Sequence, residues 1–155
     1  MVPSPTFDDD RFTRFGLLVD GFQQVSRALD QSLKANCDLS LAWFEVLLRL
    51  GRSAGHSLMM SELAAELGVT SGAVTRLIDR ISAAGLVTRE ADEADRRVQW
   101  ARLTPAGVKR VEVAAEVHLA DLDREYFGRL TDRQGAVITR AFNDLRRPLD
   151  GQGQG

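Results

Sequence analysis

Arg89, Arg96 and Arg97 fall in one short polar stretch with Asp92 and Asp95, and Arg76 and Arg80 lie a helical turn apart just upstream. Guanidinium groups suit phosphate oxygens and the acceptor atoms of base edges. Asp95, two positions before Arg97, can hold that guanidinium in one orientation through charge-assisted hydrogen bonds. Ser71, Gly72, Ala73, Thr75 and Arg76 stand at or near the start of a helix, the end that faces bases, and Arg80 one turn on suits backbone phosphate. The charges from Arg89 to Arg97 also fit a solvated charged turn.

Those side chains need elements to carry them, and residues 61–104 supply the pattern. Ser61 can cap a first helix in which Leu63, Ala64 and Leu67 face inward, with Gly68 ending it where positive φ is needed. The turn Gly68-Val69-Thr70 is short enough for a helix-turn-helix corner. Ser71 can cap the second helix, whose apolar set is Val74, Leu77, Ile78 and Ile81, and Gly85 stops it. Ala64 is small where the two helices touch. Leu86–Arg89 and Val98–Leu103 then read as two strands around the acidic loop Glu90–Asp95. This order is that of a winged helix-turn-helix.

The flanks read as helices. Phe12, Phe15, Val19, Phe22, Leu29 and Leu33 give a long first helix over about 8–35, started by Asp8, Asp9 and Asp10 and broken at Asn36-Cys37-Asp38. Ser40 caps a helix to Leu50, with Leu39 as a possible staple and Gly51 as its stop. Gly55-His56-Ser57 reads as loop, and Leu58-Met59 as a very short strand. Thr104-Pro105 opens another helix, striped by Val108, Val111, Ala115, His118, Leu122 and Tyr126. Thr131 to Gln134 has capping-box spacing for a last helix carrying Val137, Ile138, Ala141, Phe142 and Leu145, ended by Pro148. The expected fold is mainly α with a small antiparallel β wing. Its single domain spans 8–148: dimerisation helices at 8–38 and 104–148, a reading lobe at 39–103, and a disordered tail at 149–155.

Composition narrows the class. The 155 residues are 44% hydrophobic and 27% charged, which argues against general disorder. No apolar run reaches membrane-spanning length, the first residues lack a secretion signal, and the single Cys37 fits a reducing compartment. A cytoplasmic location without a membrane partner is expected. Two histidines and one cysteine make no close-set metal motif, and no catalytic or nucleotide-binding motif occurs, so neither enzyme activity nor a cofactor or metal is expected. The net charge is −2, and across 61–104 six arginines face seven acids. A basic footprint is therefore missing from the composition, and a nucleic-acid reading rests on placement.

The most specific pattern is Arg89-x-x-Asp92-x-x-Asp95-Arg96-Arg97, followed by Val98 to Leu103-Thr104-x-x-Gly107. With Leu39-Ser40-Leu41, Met60–Ala64 and Val74–Arg80, it resembles the MarR family of transcriptional regulators over roughly residues 8–148. Glu93 departs from the pattern, standing where the family often has a turn proline. The resemblance implies an Asp95–Arg97 pairing, with Arg97 at the minor groove and Arg96 at phosphate. The terminal helices offer more apolar surface than a small winged helix can cover alone, so a homodimer is expected, on an inverted-repeat operator in double-stranded DNA and most simply a repressor of nearby genes.

The family usually holds a small aromatic or phenolic ligand between dimer helices and reading lobe. Candidates for such a pocket are Phe15, Val19, Phe22, Trp43, Leu47, Arg49 and His118. Trp43 and His118 read equally as packed core residues with satisfied polar atoms, and Arg49 as a surface ion pair. Cys37, beside Asp38 at a loop, offers no electropositive setting for a redox sensor. The alternative to a DNA-binding regulator is a winged-helix interaction module that no longer binds DNA.

Overall fold

The structure, a computed structural model, describes residues 6–146. The helix stop expected at Pro148 and the tail expected at 149–155 lie outside the described residues. Six α-helices and three strands follow in the order α1 (Asp10–Cys37), α2 (Leu41–Arg52), β1 (Ser57–Met59), α3 (Met60–Leu67), α4 (Ser71–Ala83), β2 (Val87–Ala91), β3 (Gln99–Leu103), α5 (Pro105–Glu125) and α6 (Asp132–Arg146). The sheet is antiparallel in the order β1-β3-β2, with Met59 opposite Trp100 and Val87 opposite Leu103. This is a winged helix-turn-helix with long helical flanks.

Local chemistry explains most boundaries. Asp9 caps α1 by accepting from Arg11 N (2.9 Å), Ser40 caps α2 through Trp43 N (3.2 Å), and Thr104 caps α5 through Gly107 N (3.0 Å) with Pro105 at the first position. Thr131 and Gln134 cap α6 reciprocally, at 2.9 and 3.3 Å. Gly68 closes α3 at φ +65° and Gly85 follows α4 at φ +75°, both left-handed positions.

Four local expectations change. Met59 rather than Ser61 precedes α3 as its cap, and Glu62 reaches back to Met59 N (3.0 Å). Thr70 rather than Ser71 caps α4, accepting from Ala73 N at 3.3 Å, because its extended backbone places its hydroxyl under the first turn. Gly51 does not stop α2. It lies inside the helix, packed toward Val111 and Leu103, and the chain turns instead through a 3-10 turn at Ala54–His56 with Gly55 at positive φ. Cys37 is the last residue of α1, not loop, and its carbonyl accepts from Arg110 Nη1 (2.7 Å). The strands also shift: β2 runs on to Ala91, and β3 begins at Gln99.

One core joins the reading lobe to the flanking helices. Leu33 of α1, Phe44, Val46, Leu47 and Leu50 of α2, Leu63 of α3, and Val74, Ile78 and Ile81 of α4 meet Ala101 and Leu103 of β3 and Val111 and Ala114 of α5. α1 and α5 pack along one another, and α6 buries no residue. The α5 start is pinned to the end of the helix-turn-helix. Thr104 N donates to the Leu86 carbonyl (3.0 Å) and Thr104 Oγ1 to the Gly85 carbonyl (2.7 Å). A Cβ on Gly107 would stand 2.0 Å from the Leu86 oxygen, so only glycine fits this close approach.

Candidate nucleic-acid interface

α4 forms because Val74, Ile78 and Ile81 repeat at helical spacing and bury against α2, α3 and the sheet. Ser71, Gly72, Arg76, Asp79 and Arg80 are therefore left exposed on its outer side, with Ala73 and Thr75 half-buried beside the turn. Thr75 Oγ1 donates to the Ser71 carbonyl (2.9 Å), which orients its methyl and hydroxyl at the open end of the helix. Ser61, Ser71, Thr75, Arg89 and Arg97 line one hollow between the starts of α3 and α4 and the wing, together with Met59, Met60 and Gln99. Residues 36 positions apart in the chain thus meet at one surface.

The wing is the β2–β3 hairpin. Asp92 N donates to the Val98 carbonyl (3.0 Å) at the base of its turn, and Val98 N to the Asp95 carbonyl (2.9 Å). Asp92 Oδ1 accepts from Ala94 N (2.9 Å) and Asp95 N (3.1 Å), and its Oδ2 accepts from Trp100 Nε1 (3.0 Å). These bonds, the indole first, hold the Asp92 carboxyl below the usual carboxylate range. Asp95 Oδ1 accepts from Arg97 N at 3.0 Å, so the expected guanidinium clamp is instead a backbone cap. The reason is geometric: an Asp two residues before an N–H closes a local turn more readily than it reaches an exposed side chain. Met59, Met60 and Gln99 line the hollow without having been sequence candidates, and Asp92 and Trp100 support the wing behind it. The Asp92 signal was its place in the arginine-rich motif, whereas Trp100, eight residues on, is brought back only by the hairpin register.

Charge placement shows which arginines remain free. Glu66 faces Arg49 (3.8 Å), Asp79 pairs with Arg89 (3.4 Å) and Glu90 with Arg102 (3.6 Å). Glu62, Asp92 and Asp95 accept from backbone N–H groups. Among the described residues, Arg76, Arg80, Arg96 and Arg97 hold no ion pair, and all four are exposed. Glu93 is likewise exposed and without an ion pair, and Asp92 and Asp95 keep their charge, so the four free guanidiniums stand beside three wing carboxylates. Such a face can meet a polyanion and read a groove from two elements, one helix and one hairpin.

The candidates for a ligand pocket do not form a single site within the chain. Phe22 lines a groove of about 650 Å³ between α1, α2 and the turn before α4, with Leu41, Glu45, Leu67, Val69 and Leu77. Arg49 and His118 line a separate polar hollow with Phe44, Glu45, Arg52 and Glu66. Leu47 is wholly buried in the hydrophobic core and lines neither hollow. Phe15, Val19 and Trp43 line neither: Phe15 is 67% exposed on the outer half of α1, and Trp43 packs half-buried on the core. Arg49 is the expected ion pair, 2.9 Å from Glu45. The His118 ring lies 4.6 Å from Phe44, with Nδ1 buried and unpartnered among the described residues, as is Asp121 Oδ2. Its polar atoms are thus not all satisfied. Burial lowers the His118 pKa below 6.5, against the opposing pull of Asp121 and Glu45.

Comparison with known proteins agrees with this geometry. Residues 38–98 match the family model described as MarR family. The HTH-type transcriptional regulator YkoM of Bacillus subtilis (strain 168) is 29% identical over 79 residues, which is 51% of this chain and 51% of that protein. The match to this curated relative therefore spans about half its length. The crystal structure of AbsC, a MarR family transcriptional regulator from Streptomyces coelicolor, superposes with a TM-score of 0.85 at 26% identity, covering 93% of this chain and 97% of that one. A cysteine-to-serine variant of MarR from E. coli, complexed with operator DNA, superposes at 0.79 with 27% identity, covering 89% and 97%.

Proposed function

We propose that this chain is a MarR-type, homodimeric DNA-binding regulator that represses nearby genes until a small aromatic ligand releases it. The observation that carries the reading is the set of four exposed arginines without an ion pair among the described residues, Arg76 and Arg80 on α4 and Arg96 and Arg97 on the wing, with Arg97 lining one hollow with the α4 start. The recognition helix α4 enters the major groove with Ser71, Gly72, Ala73, Thr75 and Arg76 toward base edges, and Ser61 stands behind them at the α3 start. Arg80 meets phosphate. The wing reaches the flanking minor groove, where narrow A·T tracts favour Arg97, with Arg96 at phosphate and Asp95 holding the turn. The operator complex of the E. coli relative supports this docking.

Dimerisation follows from unburied apolar surface. Phe12, Phe15 and Phe22 on α1, Leu119 on α5, and Val137, Phe142 and Leu145 on α6 are all exposed. A lone chain rarely leaves so much apolar area to water. Two chains interlocking through α1, α5 and α6 cover it, and their two-fold axis matches an inverted repeat with half-sites about one DNA turn apart. Ligand held between these helices and the reading lobe favours a spacing of the two α4 helices that no longer fits the operator. The apolar groove beside Phe22 and the hollow beside Arg49 and His118 are its candidate seats, each open to completion by the second chain.

The test is gel retardation of the DNA flanking the protein's own gene, repeated at fixed salt with a panel of aromatic acids. A shift abolished by one acid is the expected result. A shift that no acid disturbs removes the ligand from the proposal. No shift with any flanking fragment at low salt favours the interaction-module reading.

A further inference from the structure

The wing turn has no packing of its own. Every residue from Glu93 to Arg97 is exposed, and neither Glu93 nor Ala94 restrains the backbone as a proline would. Its shape depends on hydrogen bonds, and most of those are internal to the turn. Asp95 acts within it, on Arg97 N. The Gln99 side-chain amide donates to the Arg96 carbonyl at 3.1 Å. Gln99 is the first residue of β3, so that bond reaches only the end of the strand, whereas Asp92 reaches further in. Its Oδ1 gathers two N–H groups of the turn, while its Oδ2 takes the indole N–H of Trp100, half-buried on the central strand opposite Met59 and Glu90. One carboxylate thereby ties the turn that carries both free wing arginines to the rigid middle of the sheet.

We propose that Asp92 is a positioning residue for DNA reading: with Trp100 it latches the wing turn to the sheet and presents Arg96 and Arg97 to the groove in one arrangement. This rests on the wing being a DNA contact. A turn ordered before binding gives up less conformational freedom at the DNA, so the latch acts on affinity without touching DNA. Electrostatics alone makes the opposite prediction. Asp92 is an anion beside a polyanion, and removing its charge should tighten binding. Asp92→Asn keeps an oxygen for the two backbone N–H groups but offers the indole an amide N–H₂ in place of an acceptor.

The experiment uses the full-length protein and a short duplex that the wild type selects from a random-sequence library, at one salt concentration. Asp92→Asn and Trp100→Phe are each expected to weaken binding about fivefold, the scale of one lost hydrogen bond, and the double variant no more than either alone. Arg97→Ala, which leaves the latch intact, serves as the control for wing contact. In the ¹H–¹⁵N spectrum of the free protein, the indole resonance missing from Trp100→Phe should move and exchange faster with solvent in Asp92→Asn. Binding by Asp92→Asn as tight as or tighter than wild type, additive losses in the double variant, or an unmoved indole resonance overturns the latch and leaves the DNA reading standing. A wild type that selects no duplex, or an Arg97→Ala variant that binds undiminished, overturns the wing reading and the latch together.

Discussion

At the scale of single residues, the side chains that matter are those the fold leaves without internal partners. Arg97 is exposed and unpaired, and its backbone N–H is held by Asp95, so its side chain is available to the groove. Arg97→Ala should lower operator affinity about tenfold or more, within the range for one arginine–base contact, with the dimer intact by sedimentation. His118 presents the reverse case, a titratable ring pressed onto Phe44 with a buried Nδ1. Because burial lowers its pKa in the folded state, the unfolded chain binds a proton first. Stability is therefore unaffected well above the ordinary value of 6.5 and falls as pH drops through it. Thermal unfolding followed against pH should show this loss in the wild type and a flatter profile in His118→Phe.

At the scale of elements, helix ends and one close approach set where the reading helix points. Thr70 Oγ1 accepts from Ala73 N at the start of α4, whereas Ser71 sits in its first turn as an exposed group. Thr70→Ala should cost ~1 kcal/mol in chemical denaturation, and Ser71→Ala distinctly less. Equal losses would return the cap to Ser71. The other end of α4 leads through Gly85 and Leu86 to the α5 junction, where Gly107 touches the Leu86 carbonyl. Gly107→Ala places a methyl in space already occupied by backbone, so about 2–3 kcal/mol of destabilisation is expected, the scale of an overpacked core. The same junction joins the end of α4 to the start of α5. Thr104 bonds directly to the Gly85 and Leu86 carbonyls there, so no loose loop separates the two helices.

At the scale of the whole molecule, a chain with one continuous core still leaves α6 without a buried residue and much of α1 wet. Val137 is 61% exposed and Leu145 73% exposed. In a monomer, Val137→Glu would be a surface change worth within about 0.5 kcal/mol. In an interlocked dimer it buries a charge. The expected outcome is a shift to monomer in sedimentation equilibrium, loss of the concentration dependence of Tm, and weakened binding to an inverted repeat. An unchanged sedimentation profile would exclude α6 from the interface. No described helix is long and apolar enough to cross a membrane.

Sequence alone determined the order of elements and most of their ends, because caps, glycine stops and apolar spacing act over three or four residues. Asp9, Ser40, Gly68, Thr104 and the Thr131–Gln134 pair all act at that range. It also singled out the stretch proposed to read DNA, since the Asp-Arg-Arg motif is contiguous. Tertiary structure decided everything that depends on which side chains meet. It paired Asp79, Glu90 and Glu66 with arginines and left four others free, divided the expected ligand pocket into separate hollows, and turned Asp95 from a guanidinium clamp into a backbone cap. Asp92 and Trp100 show the limit most plainly. Eight residues apart in the chain, they meet only because the β2–β3 register folds one strand back along the other, and pairing across a hairpin leaves no periodicity for a sequence reading to find.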